Sequence, residues 1–335
     1  NNNNKQRKNM NNLKKIGLTA LAASLVSTSV FAGEVTVSGG ASMAVEGYSG
    51  TAQNAGKGFS MGNQLTFSGS GELDNGLTAS ISFVLDQGDN EATTASEGTA
   101  PFDSHSVSIS SDALGTLTMH GEGGSSAQSA LDTTAAGDIW DTFDNAAFTT
   151  GQTVKSSAAG GDIIVYTLPS MVDDLSVSVS YDPQQATAAS STAYGLTYTG
   201  VEGLSVSYGQ GDASTGVSTT EADATTMKAS YAYGSFTVAY SNNDYQTAVA
   251  NSDQETTSYK VSYTVSDELS ISYGQEEIEK ENDSDDAEFE AITVAYTSGG
   301  MTLTASAKES TNAAHNGAST IDDRDYWSLG LAFAF

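Results

Sequence analysis

The chain has no cysteine. Its absence removes a disulfide framework and any thiolate metal site at once. Histidine is nearly as scarce. His105, His120 and His315 are the only three, and no two stand at a metal-ligating spacing. Cations are few as well. Five of the twelve basic residues precede position 33 and none of the 41 acidic ones does, so 33–335 sets seven cations against 41 acids, a formal charge of −34. Those seven are Lys57, Lys155, Lys228, Lys260, Lys280, Lys308 and Arg324. The sign argues against a nucleic-acid partner. A catalytic constellation is missing too. Gly58-Phe59-Ser60-Met61-Gly62 spells the nucleophile-elbow string, but it sits in an alternating segment with no helix after it, which contradicts the mechanics of that motif. An enzyme is not expected.

Only three prolines and as many as 34 glycines, with abundant Ser, Thr and Ala, suit either a β-rich fold or a disordered chain. Periodicity decides for the first. Read back from the C-terminus, Phe335, Phe333, Leu331, Leu329 and Trp327 share one face, while Ala334, Ala332, Gly330, Ser328 and Tyr326 share the other. A chain that ends on a bare apolar strand points to a membrane β-barrel closed by its last strand. The opposite end fits export. Lys14 and Lys15 precede the apolar stretch Ile16 to Val30, and Val30-Phe31-Ala32 offers a cleavage site. Residues 1–32 are therefore expected to be an N-terminal extension plus a secretory signal, and 33–335 the barrel domain.

The same alternation recurs sixteen times between Val35 and Phe335. Short connections near 74–76, 112–115, 171–174, 201–203, 233–234, 266–268 and 298–300 alternate with long polar ones near 49–57, 87–103, 122–161, 183–191, 211–224, 244–256, 277–287 and 310–323. Turns on one rim and loops on the other predict an all-β fold, a 16-stranded antiparallel up-and-down transmembrane barrel. Thr36, Ser38, Ser42, Ser205, Ser207, Thr302 and Thr304 would line a wet interior. Tyr181, Tyr208, Tyr240 and Tyr273 end strands toward the loops, and Tyr198, Tyr233, Tyr263 and Tyr296 end strands toward the turns, all at outward parity. They predict two interfacial belts. Strands one to five lack them and show Gly39, Ala41 and Ala79 instead, which reads as a contact between subunits.

In its signal Lys14-Lys15-Ile16-Gly17-Leu18-Thr19-Ala20-Leu21, its start Gly33-Glu34-Val35-Thr36-Val37-Ser38-Gly39-Gly40, its oversized third loop and its end Tyr326-Trp327-Ser328-Leu329-Gly330-Leu331-Ala332-Phe333-Ala334-Phe335, the chain resembles the Gram-negative general porins, in the manner of their alphaproteobacterial members. The resemblance implies a homotrimer of water-filled channels in the outer membrane, each narrowed by its third loop, passing ions and small hydrophilic solutes. It also implies contact with outer-membrane lipid and lipopolysaccharide, and an assembly signal for the outer-membrane machinery in Trp327, Phe333 and Phe335. Two departures stand out: no Pro-Glu-Phe-Gly-Gly-type loop motif, and a thin basic wall with Arg324 as its one arginine. A substrate-selective channel and a closed structural or adhesive barrel are the alternatives.

The 40-residue segment 122–161 is the candidate constriction. Glu122, Asp132, Asp138, Asp141 and Asp144 oppose Lys155 there. Around Trp140 a short helix would put Ile139, Phe143 and Ala147 on one face and Asp138, Asp141 and Asp144 on another. The apolar face needs packing, and the inner wall supplies it. Lys228, Lys260, Lys308 and Arg324 have lumen parity; they either set a field across the pore or neutralise carboxylates such as Asp325. The acidic excess predicts cation preference. The run Glu276 to Glu290 holds nine acids and one lysine. It could bridge divalent cations, Ca²⁺ for example, to lipid A phosphates, but Asp283-Ser284-Asp285-Asp286 lacks the glycine and spacing of a calcium loop, so it reads as a solvated acidic rim. No resident metal or cofactor is expected.

Overall fold

A strand with one apolar and one polar face leaves its backbone donors and acceptors unpaired on both edges. In hydrocarbon each unpaired group costs several kcal/mol, roughly, and only closure of the sheet removes both edges. The chain meets that demand. A computed structural model describes residues 35–49, 56–86, 102–143, 153–183, 189–214, 221–281, 283, 285–313 and 323–335. Sixteen antiparallel strands form one closed barrel. They are β1 Thr36–Tyr48, β2 Gly56–Glu72, β3 Thr78–Asp86, β4 Ser104–Ser111, β5 Gly115–Glu122, β6 Ile163–Thr167, β7 Leu175–Asp182 and β8 Ser191–Val201. The second half comprises β9 Leu204–Ser214, β10 Glu221–Tyr233, β11 Phe236–Thr247, β12 Gln254–Thr264, β13 Leu269–Lys280, β14 Ala287–Ser298, β15 Met301–Thr311 and β16 Arg324–Ala334. Each strand pairs with its sequence neighbours, and β1 pairs with β16.

The seam between first and last strands sets Ala41 opposite Phe333 and Tyr48 opposite Tyr326, so the face assignments of the two ends agree. Its lower end is tied twice, Gly39 N–H to the Phe335 carbonyl at 2.8 Å and Phe335 N–H to the Gly39 carbonyl at 3.0 Å. The terminal aromatic is thereby part of the ladder. Between β5 and β6 a two-residue ladder, Gly124–Ser125 with Ala159–Gly160, pinches the base of the third loop.

Exposure inverts the rule of a soluble core. Val37, Phe59, Met61 and Leu329 are half or more exposed, and all have outward parity. The tyrosine belts are ordered as expected. Tyr240 and Tyr259 meet at 5.4 Å, tilted by 46°, midway along β11 and β12, and Phe236 and Tyr263 meet at 4.7 Å, tilted by 41°, near the turn end.

Three connections read as long loops are shorter than expected. The ladder runs on to Ser214 and from Glu221, to Thr247 and from Gln254, and to Lys280 and from Ala287. Above the tyrosines neither face has to be apolar, so the hydrophobic alternation fades while the hydrogen bonding continues. Of the run Glu276 to Glu290, Glu276–Lys280 and Ala287–Glu290 belong to the paired strands β13 and β14 rather than to a loop. Glu277 and Glu279 have outward parity, but Glu276, Ile278, Ala287 and Phe289 are fully buried on the inner face. Asp144, Phe148, His315 and residues 1–32 lie outside the described residues.

Close packing at the seam gives a test. A Cβ at Gly39 would meet the Gln64 carbonyl oxygen at 2.6 Å and Leu65 Cδ2 at 2.7 Å, whereas one at Gly69 would meet nothing nearer than 3.6 Å. Gly39→Val is expected to lower the folded fraction, read as the heat-modifiable band on unheated gels, and Gly69→Ala to leave it unchanged.

Candidate functional site

The third loop runs between β5 and β6, and several backbone N–H groups among its described residues donate to side chains on the inner face of the wall. Ala127 N–H donates to Ser180 Oγ at 2.9 Å, Ala135 N–H to Ser241 Oγ at 2.8 Å and Ala136 N–H to Ser258 Oγ at 2.9 Å. These are the small hydroxyls that strand alternation assigns to the interior. They serve as acceptors for loop backbone that has left the sheet and still has donors to satisfy.

Gln128 is the first anchor. It is 0 % exposed. Its Nε2 donates to Thr226 Oγ1 at 2.8 Å and its Oε1 accepts Ser157 N–H at 2.7 Å, joining both arms of the loop to β10. Thr226 hands its hydroxyl proton on to Asn243 Oδ1, and Asn243 Nδ2 donates back to the Asp132 carbonyl at 2.8 Å.

The second anchor is Glu276. Its Oε1 accepts the Thr134 hydroxyl and its Oε2 accepts Trp140 N–H at 3.0 Å. Thr134 Oγ1 in turn accepts Asp138 N–H at 2.7 Å and Gly137 N–H at 3.1 Å, and Asp138 Oδ1 accepts Thr134 N–H at 2.9 Å. This tight turn puts Asp138 at φ 54°, a conformation that Asp tolerates better than most residues. Past it, Ile139–Phe143 forms a 3-10 helix with Ile139 and Phe143 buried. They pack with Ile278, Ala287, Phe289 and Ala291, with Phe143 stacked on Phe289 at 5.8 Å. The apolar half of the expected short helix is thus found. Ala147 lies outside the described residues, as does Asp144.

Glycines let the loop approach. A Cβ at Gly274 would come 2.7 Å from Ala136 Cβ, and one at Gly209 would reach Gln128 Cα at 3.1 Å. Both have inner parity.

Of the acidic residues singled out, Asp141 is exposed, Asp138 and Asp132 are half-buried, and Glu122 ends β5 half-buried. Burial pushes the Asp132 carboxyl above its ordinary value. Hydrogen bonds from Ser156 and Ser129 and the charge of Lys228 oppose that shift, while Asp138 adds to it. The cations take four different positions. Lys228 Nζ donates to the Thr133 carbonyl and Lys308 Nζ to Thr142 Oγ1, so both hold the loop. Lys155 Nζ donates to the Ser252 carbonyl at 3.0 Å and lies over the Tyr245 ring. Lys260 is half-buried at inner parity opposite Gly274, and Arg324 is buried at the start of β16.

Alternation alone places these lysines, but it misses the two anchors of the loop. Glu276 was hidden inside an acidic run, and Gln128 in a polar loop. The signal that would have found them is the set of inner-parity glycines, which marks where another backbone comes close. Tyr48 and Tyr326 were passed over as well. Their rings meet at 4.9 Å on the inner face; Tyr48 OH donates to the Thr142 carbonyl at 2.9 Å and Tyr326 OH to Glu46 Oε2 at 2.7 Å. Outside the barrel, Glu277, Glu279 and Asp286 bring carboxylate oxygens within 4.8 Å of one another.

A family model described as Gram-negative porin matches residues 17–297. No curated protein matches the chain in sequence. Among solved structures, a complex of Salmonella typhi OmpF with daunomycin aligns at 11 % identity over 91 % of this chain and 98 % of its own, with a TM-score of 0.68. An anion-selective porin from Comamonas acidovorans aligns at 16 % over 90 % and 100 %, with a TM-score of 0.65. A loop-deletion mutant of OmpT from Vibrio cholerae aligns at 14 % over 91 % and 100 %, also at 0.65. At such identities the likeness is one of fold.

The first anchor can be tested directly. Gln128→Leu would leave Thr226 and Ser157 N–H without their buried partner, at a cost of about 1–3 kcal/mol. A lower urea midpoint and faster protease cutting within the third loop are expected; an unchanged midpoint would mean that this contact carries no net stability.

Proposed function

Since the chain belongs to the Gram-negative porin family, we propose that it forms a water-filled channel for ions and small hydrophilic solutes, narrowed from within by its third loop and preferring cations. The protein resides in the outer membrane. The observation that carries the reading is the direction of the loop's bonds: Ser180, Thr226, Ser241, Ser258 and Glu276, all at inner parity, receive it. A loop bound to the inner face stands in the lumen.

Cation preference rests on where the charges stand. Lys228, Lys308 and Lys155 already donate to carbonyl or hydroxyl oxygens of the loop and wall, which draws them to the edge of the pore. Asp141 is exposed. Potentials decay over about 8 Å at physiological salt, so charges at the narrowing outweigh distant ones. The fold alone does not fix the sign, as the anion-selective Comamonas channel has the same architecture.

The trimer is supported by β1–β5. Their outward faces carry no tyrosine, and Asn63, exposed at outward parity opposite Ala41 in mid-strand, would cost free energy in hydrocarbon but gain a partner in a second copy. Above the tyrosines of β11–β16, Glu255 faces Glu279 and Glu309 faces both Glu290 and Asp325 across the ladder. Opposed like charges call for counter-ions, which fits divalent cations shared with lipopolysaccharide phosphates; chelation should then weaken lipopolysaccharide co-purification, and no change would remove this partner. Residues 1–32 are proposed to be cleaved on export, and the alphaproteobacterial affinity rests on the signal and start residues quoted above. The inner pair Tyr48 and Tyr326 beside Lys308 is the one observation favouring a substrate-selective channel, and solute flux that saturates with concentration would support it.

In planar bilayers a KCl gradient should give a reversal potential of cationic sign, weaker at molar salt. Asp132, Asp138 and Asp141 changed together to Asn should move it toward zero with oligomer mobility on unheated gels unaltered. Anion preference in the unmodified protein would show that the basic wall controls the pore, and a silent folded barrel would remove the channel reading altogether.

A further inference from the structure

An acidic run on the strands above the tyrosine belts has an obvious role at the outer surface, yet one member of it does not face that way. Glu276 has the parity of Gly274 and Ile278, and its side chain is 0 % exposed. A carboxylate taken fully out of water is strongly destabilising unless its oxygens are satisfied. Here both are, and both by the same segment of the third loop: Oε1 by the Thr134 hydroxyl, Oε2 by Trp140 N–H. Thr134 and Trp140 flank the turn that carries Asp138, and Asp141 follows directly. The charged side of the loop thus hangs from one wall carboxylate. The apolar contacts of Ile139 and Phe143 with Ile278 and Phe289 supply attraction but little direction. Charge-assisted hydrogen bonds set distance and angle.

We propose that Glu276 is the positioning residue of the constriction: its inward carboxylate fixes how far residues 134–141 stand from the wall, and with it the calibre of the channel and the place of its acidic side chains. This rests on the reading of the third loop as the constriction. Glu276 touches no solute; it acts through Thr134 and Trp140. Two features fit a dedicated seat. Gly274, the next inward residue along β13, leaves room for Ala136, and Ser258 on the adjacent β12 and Ser241 on β11 beyond it accept the N–H groups of Ala136 and Ala135. The segment is held on both sides of the turn, so releasing the carboxylate frees the turn before it frees the arms.

Single-channel recording of four variants beside the unmodified protein separates the possibilities. Glu276→Ala should replace the single open level by several sub-conductance levels with excess open-channel noise, and should speed proteolysis around Trp140. Glu276→Gln, which keeps one acceptor oxygen, should fall between Ala and the unmodified protein. Thr134→Val removes the partner from the loop side while leaving the wall intact, and should reproduce part of the effect even if Glu276→Ala assembles poorly. Deletion of 138–143 should raise conductance. If the deletion raises conductance but both Glu276→Ala, folded by heat-modifiability, and Thr134→Val keep one quiet level with unchanged proteolysis, Glu276 is not the positioning residue. If the deletion itself leaves conductance unaltered, the constriction reading fails first and the proposal with it.

Discussion

Everything in this molecule depends on the pairing of β1 with β16. A sheet in hydrocarbon cannot keep an open edge, because no water is present to take up the free N–H and C=O groups. The nine-residue register from Gly40–Ala334 to Tyr48–Tyr326 abolishes both edges at once. It also fixes the sense of the whole wall, since a slip of one residue would turn every apolar side chain inward. Val37, Met43, Leu329 and Phe333 on the outside, and Ser42, Glu46, Ser328 and Tyr326 on the inside, are consequences of one closure.

Once the wall is closed it creates a second problem, which the third loop answers. An enclosed space lined by hydroxyls and charges is hydrated, and a 40-residue loop must find partners either in water or on that lining. The loop finds them on the lining, donor by donor. Hydroxyls of β7, β11 and β12 take its backbone, Thr226 takes the Gln128 amide and Glu276 the turn at 134–140, and a small apolar cluster around Phe143 and Phe289 adds to the contact. The charged residues are distributed by the same logic. Lys228 and Lys308 at inner parity bind loop oxygens, so their ammonium groups are held against the segment that carries Asp138 and Asp141.

How much of this was legible in the sequence follows from what period two can encode. It says which face a residue occupies. Strand number, closure by the terminal aromatic strand, the belts and the inward lysines are all face properties, and they were readable. Where both faces turn polar the signal dies, so the strand ends at Ser214, Thr247 and Lys280 read as loop although the ladder persists. Period two says nothing about what an inward residue meets. Glu276 looked like its nine-acid neighbourhood, and only the three-dimensional approach of Thr134 and Trp140 distinguishes it. The glycines at 209 and 274 carried a trace of that approach, as gaps in an inner face that otherwise bears side chains.

The far end of the described loop has a consequence for the order of events during biogenesis. Thr142 is bound by Tyr48 of β1 and by Lys308 of β15, while Lys308 lies over the Tyr326 ring of β16. Those strands are drawn from opposite ends of the chain and become neighbours only when the circle is complete. The contacts at Thr142 therefore cannot all form in a half-built wall. Under the proposed constriction, narrowing of the passage is a late step contingent on zipping, and an unfinished barrel leaves it unset.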